Sequence, residues 1–448
     1  MAQKQIAASI FDINLPARIA TRTALLILAV GLTILPTAQA QTLTPLHSFT
    51  GGRDGANPMA GLSTDAHGNL YGTTAMGAAG YGTVFKLGHA GSGWVFTPLY
   101  AFAGGADGEY PVARVVFGPN QTLYGTTRNG GGGGCTGGGC GTVFNLQPPP
   151  TACVTAVCPW RETIVLHFIT GNGGAYPLSE VTFDNSGNIF GTTEYGDPLQ
   201  DGEGSCYPDC GVVYELTPSN GGWTESTPYG FKDGSFGQLG AYPVGGVTFD
   251  SAGNLYGTAA GGYYGYGLIY KLTPPGDPYW TEQDLYDFSG SEAGPVTKLI
   301  LDPSGTFYGA SEGLNPGYGS APGAVFSFAP NGEGGWTFTN LHTFSTIGGG
   351  PAGQLLRDSA GNLYGTTIAG GNQYGNCPSD GCGTIFELSP SNGGWVYTVL
   401  YDFTGGSDGA APYSNLVMDA NGNLYGTASS GGNSNCAGGC GVVFEFTP

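Results

Sequence analysis

Charge is scarce in this sequence. Only 10% of its 448 residues are Asp, Glu, Lys or Arg, and Lys plus Arg number 12 against 32 Asp plus Glu, a formal net charge of −20. A surface of that sign repels phosphate backbones and anionic lipid heads, so nucleic acid and membrane-surface partners are excluded. Histidine is sparse as well: His47, His67, His89, His167 and His342 are the full set. No H-E-x-x-H, G-x-S-x-G or phosphate-loop motif occurs, and the Gly130–Gly134 run lacks the Lys and the following helix that a phosphate site needs. The one long apolar run, Ala24 to Leu35, is shorter than the ~20 residues that span a bilayer. Arg18 and Arg22 precede it, and Pro36 and Ala38-Gln39-Ala40 follow. That is the pattern of a signal peptide over residues 1–40, which makes the protein secreted or periplasmic and leaves 41–448 as one mature domain with no membrane span.

Glycine is abundant, at 85 residues, and aromatics reach 12%. Tight turns and aromatic strands in that proportion indicate an all-β chain of many short strands. Ten cysteines fall in five local pairs: Cys135/Cys140, Cys153/Cys158, Cys206/Cys210, Cys377/Cys382 and Cys436/Cys440. Zinc would call for nearby His or C-x2-C spacing, and neither is present. Disulfides in an oxidising compartment are expected, with the connectivity open.

Self-similarity governs the rest. Asn69-Leu-Tyr-Gly-Thr-Thr74 recurs around Tyr124, Phe190, Tyr256, Tyr308, Tyr364 and Tyr425, giving seven units of roughly 60 residues, room for four strands and their turns. Strand a is a short apolar run such as Val181-Thr-Phe183, closed by an Asp-x-x-Gly-Asn turn. Strand b is the Leu-Tyr-Gly-Thr-Thr string, and strand c is typified by Thr83-Val-Phe-Lys-Leu87. Strand d carries Trp94, Trp160, Trp223, Trp280, Trp336 or Trp395, each followed eight residues later by Phe. An even spacing predicts that both rings share one face of the strand. The seventh unit stops after strand c, while Leu46-His-Ser-Phe49 matches the strand d segment Leu341-His-Thr-Phe344. One N-terminal strand would therefore complete the last sheet and close a seven-bladed β-propeller of four-stranded antiparallel blades, leaving no open end.

In such a ring the d–a and b–c loops share one face. The b–c loops vary most and hold four of the five Cys pairs, which points to that face as a ligand surface. Candidate ligand residues there are Asp54, Asp107 and Asp408 in d–a loops and Tyr195, Tyr263 and Tyr264 in b–c loops. The a–b aspartates, Asp65, Asp184, Asp250, Asp302, Asp358 and Asp419, suit Asx-type turns better than calcium, because the interleaved D-x-D-x-D-G pattern is missing. No cofactor or metal site is expected, calcium being the weaker alternative. His47, His167 and His342 occupy a Leu-His-x-Phe slot and read as packing, and no catalytic residue is assigned.

The unit Leu-Tyr-Gly-Thr-Thr, then Gly-Gly, then Gly-Thr-Val-Phe-x-Leu, resembles the Gloeo/Verruco (GloVer) tandem repeat of exported bacterial proteins, over nearly all of residues 42–448. Gly118-Pro-Asn-Gln-Thr122 and Thr306-Phe-Tyr-Gly-Ala310 depart from its pattern. Members often carry C-terminal surface anchors; this chain ends on strand c, so the resemblance implies release or periplasmic residence, and it transfers no activity. The expected function is non-catalytic binding or scaffolding, by a monomer, of extracellular polysaccharide or another surface ligand. The alternatives are an extracellular hydrolase or lyase with acids at the channel mouth, and a purely structural protein.

Overall fold

Each Leu-Tyr-Gly-Thr-Thr string forms the buried second strand of a four-stranded antiparallel sheet, and there are seven such sheets. The computed structural model describes residues 41–448 apart from 78, 92, 136–137, 150–159, 170–172, 197–209, 232–241, 262–265, 276–279, 290–293, 316–318, 321–322, 346–348 and 352. Blade 1 is typical: strand a is Ser63–Thr64, b is Leu70–Thr74, c is Thr83–Ala90 and d is Gly93–Ala101. Strand a is only two residues long in every blade. In blade 7, strands Val417–Met418, Leu424–Ala428 and Val442–Thr447 are completed by Thr42–Ser48, with Thr42 opposite Thr447 and Ser48 opposite Val442. The chain is thus a seven-bladed β-propeller closed by its N-terminal strand. One single-turn 3-10 helix, Gly105–Asp107, and a small hairpin pairing Leu314–Asn315 with Gly319–Ser320 interrupt the pattern.

Strand b needs its glycine because the ring of strand c lies flat across it. A Cβ on Gly72 would sit 2.6 Å from Cζ of Phe85, and one on Gly426 would sit 2.6 Å from Cζ of Phe444. The two threonines that follow do different work. The first crosses to the next blade: Thr73 Oγ1 donates to the Ala113 carbonyl at 3.2 Å, Thr126 to Ser179 at 3.1 Å, and Thr427 to Ala60 at 2.8 Å. The second stays at home, as in the 2.8 Å contact of Thr74 Oγ1 with Thr83 Oγ1. Blade 5, where Ala310 and Ser311 replace the threonines, bonds instead within itself, Thr297 Oγ1 donating to the Ala310 carbonyl at 3.1 Å.

The expectation that Trp and Phe of strand d share a face is overturned. In every blade the c–d ladder slips by one residue. In blade 1, Phe85 pairs with Pro98 and Val84 with Tyr100, so Leu99 is the extra residue of a β-bulge. One inserted residue turns an even spacing into opposite faces. Trp94 therefore packs backward on Tyr425 of blade 7, at 5.7 Å between ring centroids, and Phe102 packs forward on Phe144 of blade 2, at 5.2 Å. Trp160, Trp223, Trp280, Trp336 and Trp395 likewise reach the strand b ring of the preceding blade. Phe49, Phe168, Phe231, Phe288, Phe344 and Phe403 reach the strand c ring of the following one.

Two residues beyond each Trp the seam becomes uneven. Phe96, Phe338 and Tyr397 stack on His47, Tyr286 and His342 of the preceding blade, with centroids 4.0 to 4.2 Å apart. Blades 2, 3 and 4 put carboxylates there, and burial pushes the blade 3 carboxyl, Glu225, up to about 7. Glu162 faces Tyr100 and Asp107, and its buried Oε1 has no hydrogen-bond partner. Glu282 faces Tyr229 beside Asp284, whose buried Oδ1 is also unpartnered. Burial, reinforced by Asp107, pushes the Glu162 carboxyl up to about 7; burial, reinforced by Asp284 and Asp287, pushes Glu282 up to about 8. The folded protein therefore keeps protons that the unfolded chain releases above about pH 4.3. Their contribution to stability is fullest in mild acid and is lost as pH rises through 7 to 8. Urea midpoints measured between pH 5 and 8.5 will fall with rising pH, and the Glu162→Gln, Glu225→Gln, Glu282→Gln triple variant will flatten that slope.

Candidate functional site

The axis of the ring is shaped by the four residues that lead into each strand a. Their alternation places every second side chain toward the axis. An outer collar is formed by Met59, Val112, Leu178, Val244, Val296 and Tyr413. Two residues deeper comes a second ring of Gly61, Arg114, Glu180, Gly246, Lys298, Gln354 and Asn415, one from each blade. The residues between the two rings, such as Ala60, Ala113 and Ser179, accept the cross-blade threonine bonds described above. With Glu312, these side chains line a cavity of about 340 Å³ on the face of the d–a and b–c loops.

Glu180 organises the deeper ring. Its side chain is 6% exposed and takes a two-pronged contact from Arg114, Nε to Oε2 at 2.6 Å and Nη2 to Oε1 at 2.8 Å. Lys298 Nζ reaches the same Oε1 at 2.9 Å and Thr182 Oγ1 at 2.8 Å. To do so it passes over blade 4, where Gly246 leaves the path clear: a Cβ there would lie 3.2 Å from Cδ of Lys298. Burial alone would raise the Glu180 carboxyl, but the charges of Arg114 and Lys298 outweigh it and hold the group at about 2. Glu312, nearer the mouth, has no such partner, and burial raises it.

The rim is set by a backbone device at the residue before a proline. Tyr110 N–H donates to the Tyr81 carbonyl of blade 1 at 3.0 Å, while its own carbonyl accepts from Arg128 N–H of blade 2 at 3.1 Å. Tyr176 and Tyr242 bridge neighbouring blades in the same way, through Cys140 and Cys210. Serving both sides requires positive φ, and Asn57, Tyr110, Tyr176, Tyr242, Gly294 and Ala411 all have it, at 50° to 75°. Tyr195, a predicted ligand residue, stands between Tyr176 and Tyr242, edge to face with both at 5.7 and 5.6 Å. The Arg128 guanidinium lies 5.1 Å from the Tyr176 ring centre and 3.2 Å from Glu194.

The other predicted site residues are placed differently. Asp54 accepts from Thr50 N–H and Oγ1 at 2.9 and 2.5 Å, and contacts His47 Nε2 at 3.2 Å. Asp408 accepts from Thr404 N–H at 2.8 Å and Tyr401 hydroxyl at 3.1 Å, and Asp107 from Ala103 N–H at 2.6 Å and the Tyr100 hydroxyl. These carboxylates fasten the d–a turns and do not line the cavity. Tyr263 and Tyr264 lie outside the described residues. The a–b aspartates act as turn anchors: Asp65 accepts from His67 N–H, Asn69 N–H, Asn69 Nδ2 and the Tyr71 hydroxyl. Cys135–Cys140, Cys377–Cys382 and Cys436–Cys440 are disulfides, and Cys210 is disulfide-bonded. Cys153, Cys158 and Cys206 lie outside the described residues. Arg114, Glu180, Lys298, Glu312 and the pre-proline tyrosines were not anticipated. Two signals carried them: the recurring Tyr-Pro pairs, and the variable polar residue just before each strand a.

A closed propeller with a lined axial cavity defines the class, a seven-bladed repeat protein. The chain belongs to the Gloeobacter/Verrucomicrobia repeat family, whose model matches residues 32–208 and 203–444. No curated protein matches it. Among solved structures it is similar to a Thermus thermophilus protein described as an oxidoreductase (glucose dehydrogenase), at 16% identity and a TM-score of 0.40, covering 78% of this chain and 99% of that one.

Replacing Glu180 by Gln leaves Arg114 and Lys298 without their counter-charge and will lower stability by about 3–5 kcal/mol in urea unfolding. In the wild type the Glu180 contribution is present above about pH 4.3 and fades as pH falls toward 2. The variant will have lost that acid limb of the stability profile.

Proposed function

We propose that the protein is a non-catalytic, extracellular carbohydrate-binding propeller whose ligand sits over the cavity mouth against the pre-proline tyrosines. The observation that carries this reading is the choice of residue at a strained position. Positive φ is demanded there by the cross-blade bonds, and Gly294 and Asn57 meet it at little cost. Tyrosine at the same place in three consecutive blades costs on the order of 1 kcal/mol or more each. The backbone bonds need no ring, so the reason lies in the side chain. A tyrosine offers a flat apolar face and a polar tip, which suits the C–H faces and hydroxyls of a sugar.

The alternative of a glycoside-cleaving enzyme needs two available carboxylates flanking one bond. Both oxygens of Glu180 are already taken by cations, and Glu312 is the remaining carboxylate among the cavity-lining residues. That inventory favours binding over catalysis. Disulfides suit an oxidising compartment, and among the described residues no helix is long and apolar enough to cross a membrane.

Purified protein on a glycan array will retain one or more polysaccharides without releasing shorter products. Tyr110→Asn, which copies the residue of blade 1, will keep the fold and reduce affinity about tenfold, the loss of one aromatic contact. An array with no bound glycan removes the proposal.

A further inference from the structure

The charge on the cavity floor is out of keeping with the rest of the molecule. The chain has 12 Lys and Arg against 32 Asp and Glu. Yet two of those cations, Arg114 and Lys298, meet in the seven-residue deeper ring, where Glu180 is the only acid. The remaining members, Gly61, Gly246, Gln354 and Asn415, are neutral, so the ring carries a net charge of one positive unit inside an acidic protein, while Glu312, the second acid lining the cavity, lies outside the ring. A purely structural pair would have been neutral with Arg114 and Glu180 alone, since the guanidinium already satisfies both carboxylate oxygens. Lys298 adds a charge beyond that need and crosses a whole blade to do it. Its ammonium has three donors and spends two, on Glu180 and Thr182. Arg114 binds Glu180 through Nε and Nη2, which leaves Nη1 for another acceptor.

We infer that this floor binds the carboxylate of an acidic sugar, a uronate, with Arg114 Nη1 and Lys298 Nζ as its charged donors. The collar above it, from Met59, Val112, Leu178, Val244, Val296 and Tyr413, is apolar with one aromatic ring, which fits the body of a pyranose. Gln354 and Asn415 at floor level supply amide partners for hydroxyls. The inference deepens the carbohydrate reading and rests on it; it adds the chemical class of the sugar and the place of its charged group.

Titration calorimetry of the full-length mature protein separates the two claims. The probes are oligogalacturonate, its methyl ester, a neutral oligosaccharide of equal length, and acetate. Oligogalacturonate is expected to bind at least tenfold more tightly than the ester or the neutral sugar, and acetate at least tenfold more weakly than oligogalacturonate. Lys298→Gln keeps the Arg114–Glu180 pair and is expected to hold its melting temperature within a few degrees while losing the preference for the acid. If that variant does not fold, the ester comparison on wild-type protein decides alone. Equal binding of acid and ester overturns the uronate assignment and leaves the carbohydrate reading standing. Acetate binding as tightly as oligogalacturonate overturns the assignment to a sugar. No binding of any sugar overturns both.

Discussion

A single propeller blade is one sheet thick and cannot bury either of its faces alone. Everything here depends on how strand d solves that problem. The bulge is repeated in all seven c–d ladders, and in the six blades whose strand d holds a Trp it rotates the strand between that Trp and its Phe, so one strand grips the blade behind it and the blade ahead of it. Each aromatic contact of this kind contributes roughly 0.5–1.5 kcal/mol beyond burial; the Phe contact repeats at every blade boundary and the Trp contact at six of the seven. Ring closure follows from the same rule, since Phe49 from the N-terminal strand stands where the other blades have their strand d Phe. Uneven seams temper the regularity. At the position where Phe96 and Tyr397 stack on their neighbours, Glu162, Glu225 and Glu282 place half-buried carboxylates, so blades 1 to 4 meet through more polar joints than blades 4 to 6. The ring tolerates them because the Trp and Phe contacts on either side persist.

The axial cavity is a by-product of those contacts that has acquired specific chemistry. Cross-blade threonine bonds hold the lead-in to strand a, which fixes the angle at which the collar and floor residues enter the axis. Pre-proline staples then tie six of the d–a loops to two blades at once. Because the backbone is held at both levels, side chains at these positions can vary from blade to blade without loss of the frame.

Much of the frame could be read from the sequence because repetition amplifies weak signals. Seven copies of one string locate strand b, and the unfinished seventh unit together with Leu46-His-Ser-Phe49 locates the closure. The bulge was invisible to that reading: an even Trp-to-Phe spacing states a face only when the ladder is regular, and one extra residue reverses the answer. The acids of the d–a loops stood out by composition, yet hydrogen bonds to their own turns consume them. Arg114, Glu180 and Lys298 are lone charges in different repeats, and only the circular arrangement brings them together.

Hydrogen exchange of the N-terminal strand tests the closed ring most directly. If Thr42–Ser48 is the outer strand of blade 7, its amides bonded to Val442–Thr447 will exchange only with global unfolding, together with those of the facing strand. Exchange of the 42–48 amides within seconds, as at a frayed terminus, while the remaining blades stay protected, would contradict the closure and the cavity built on it.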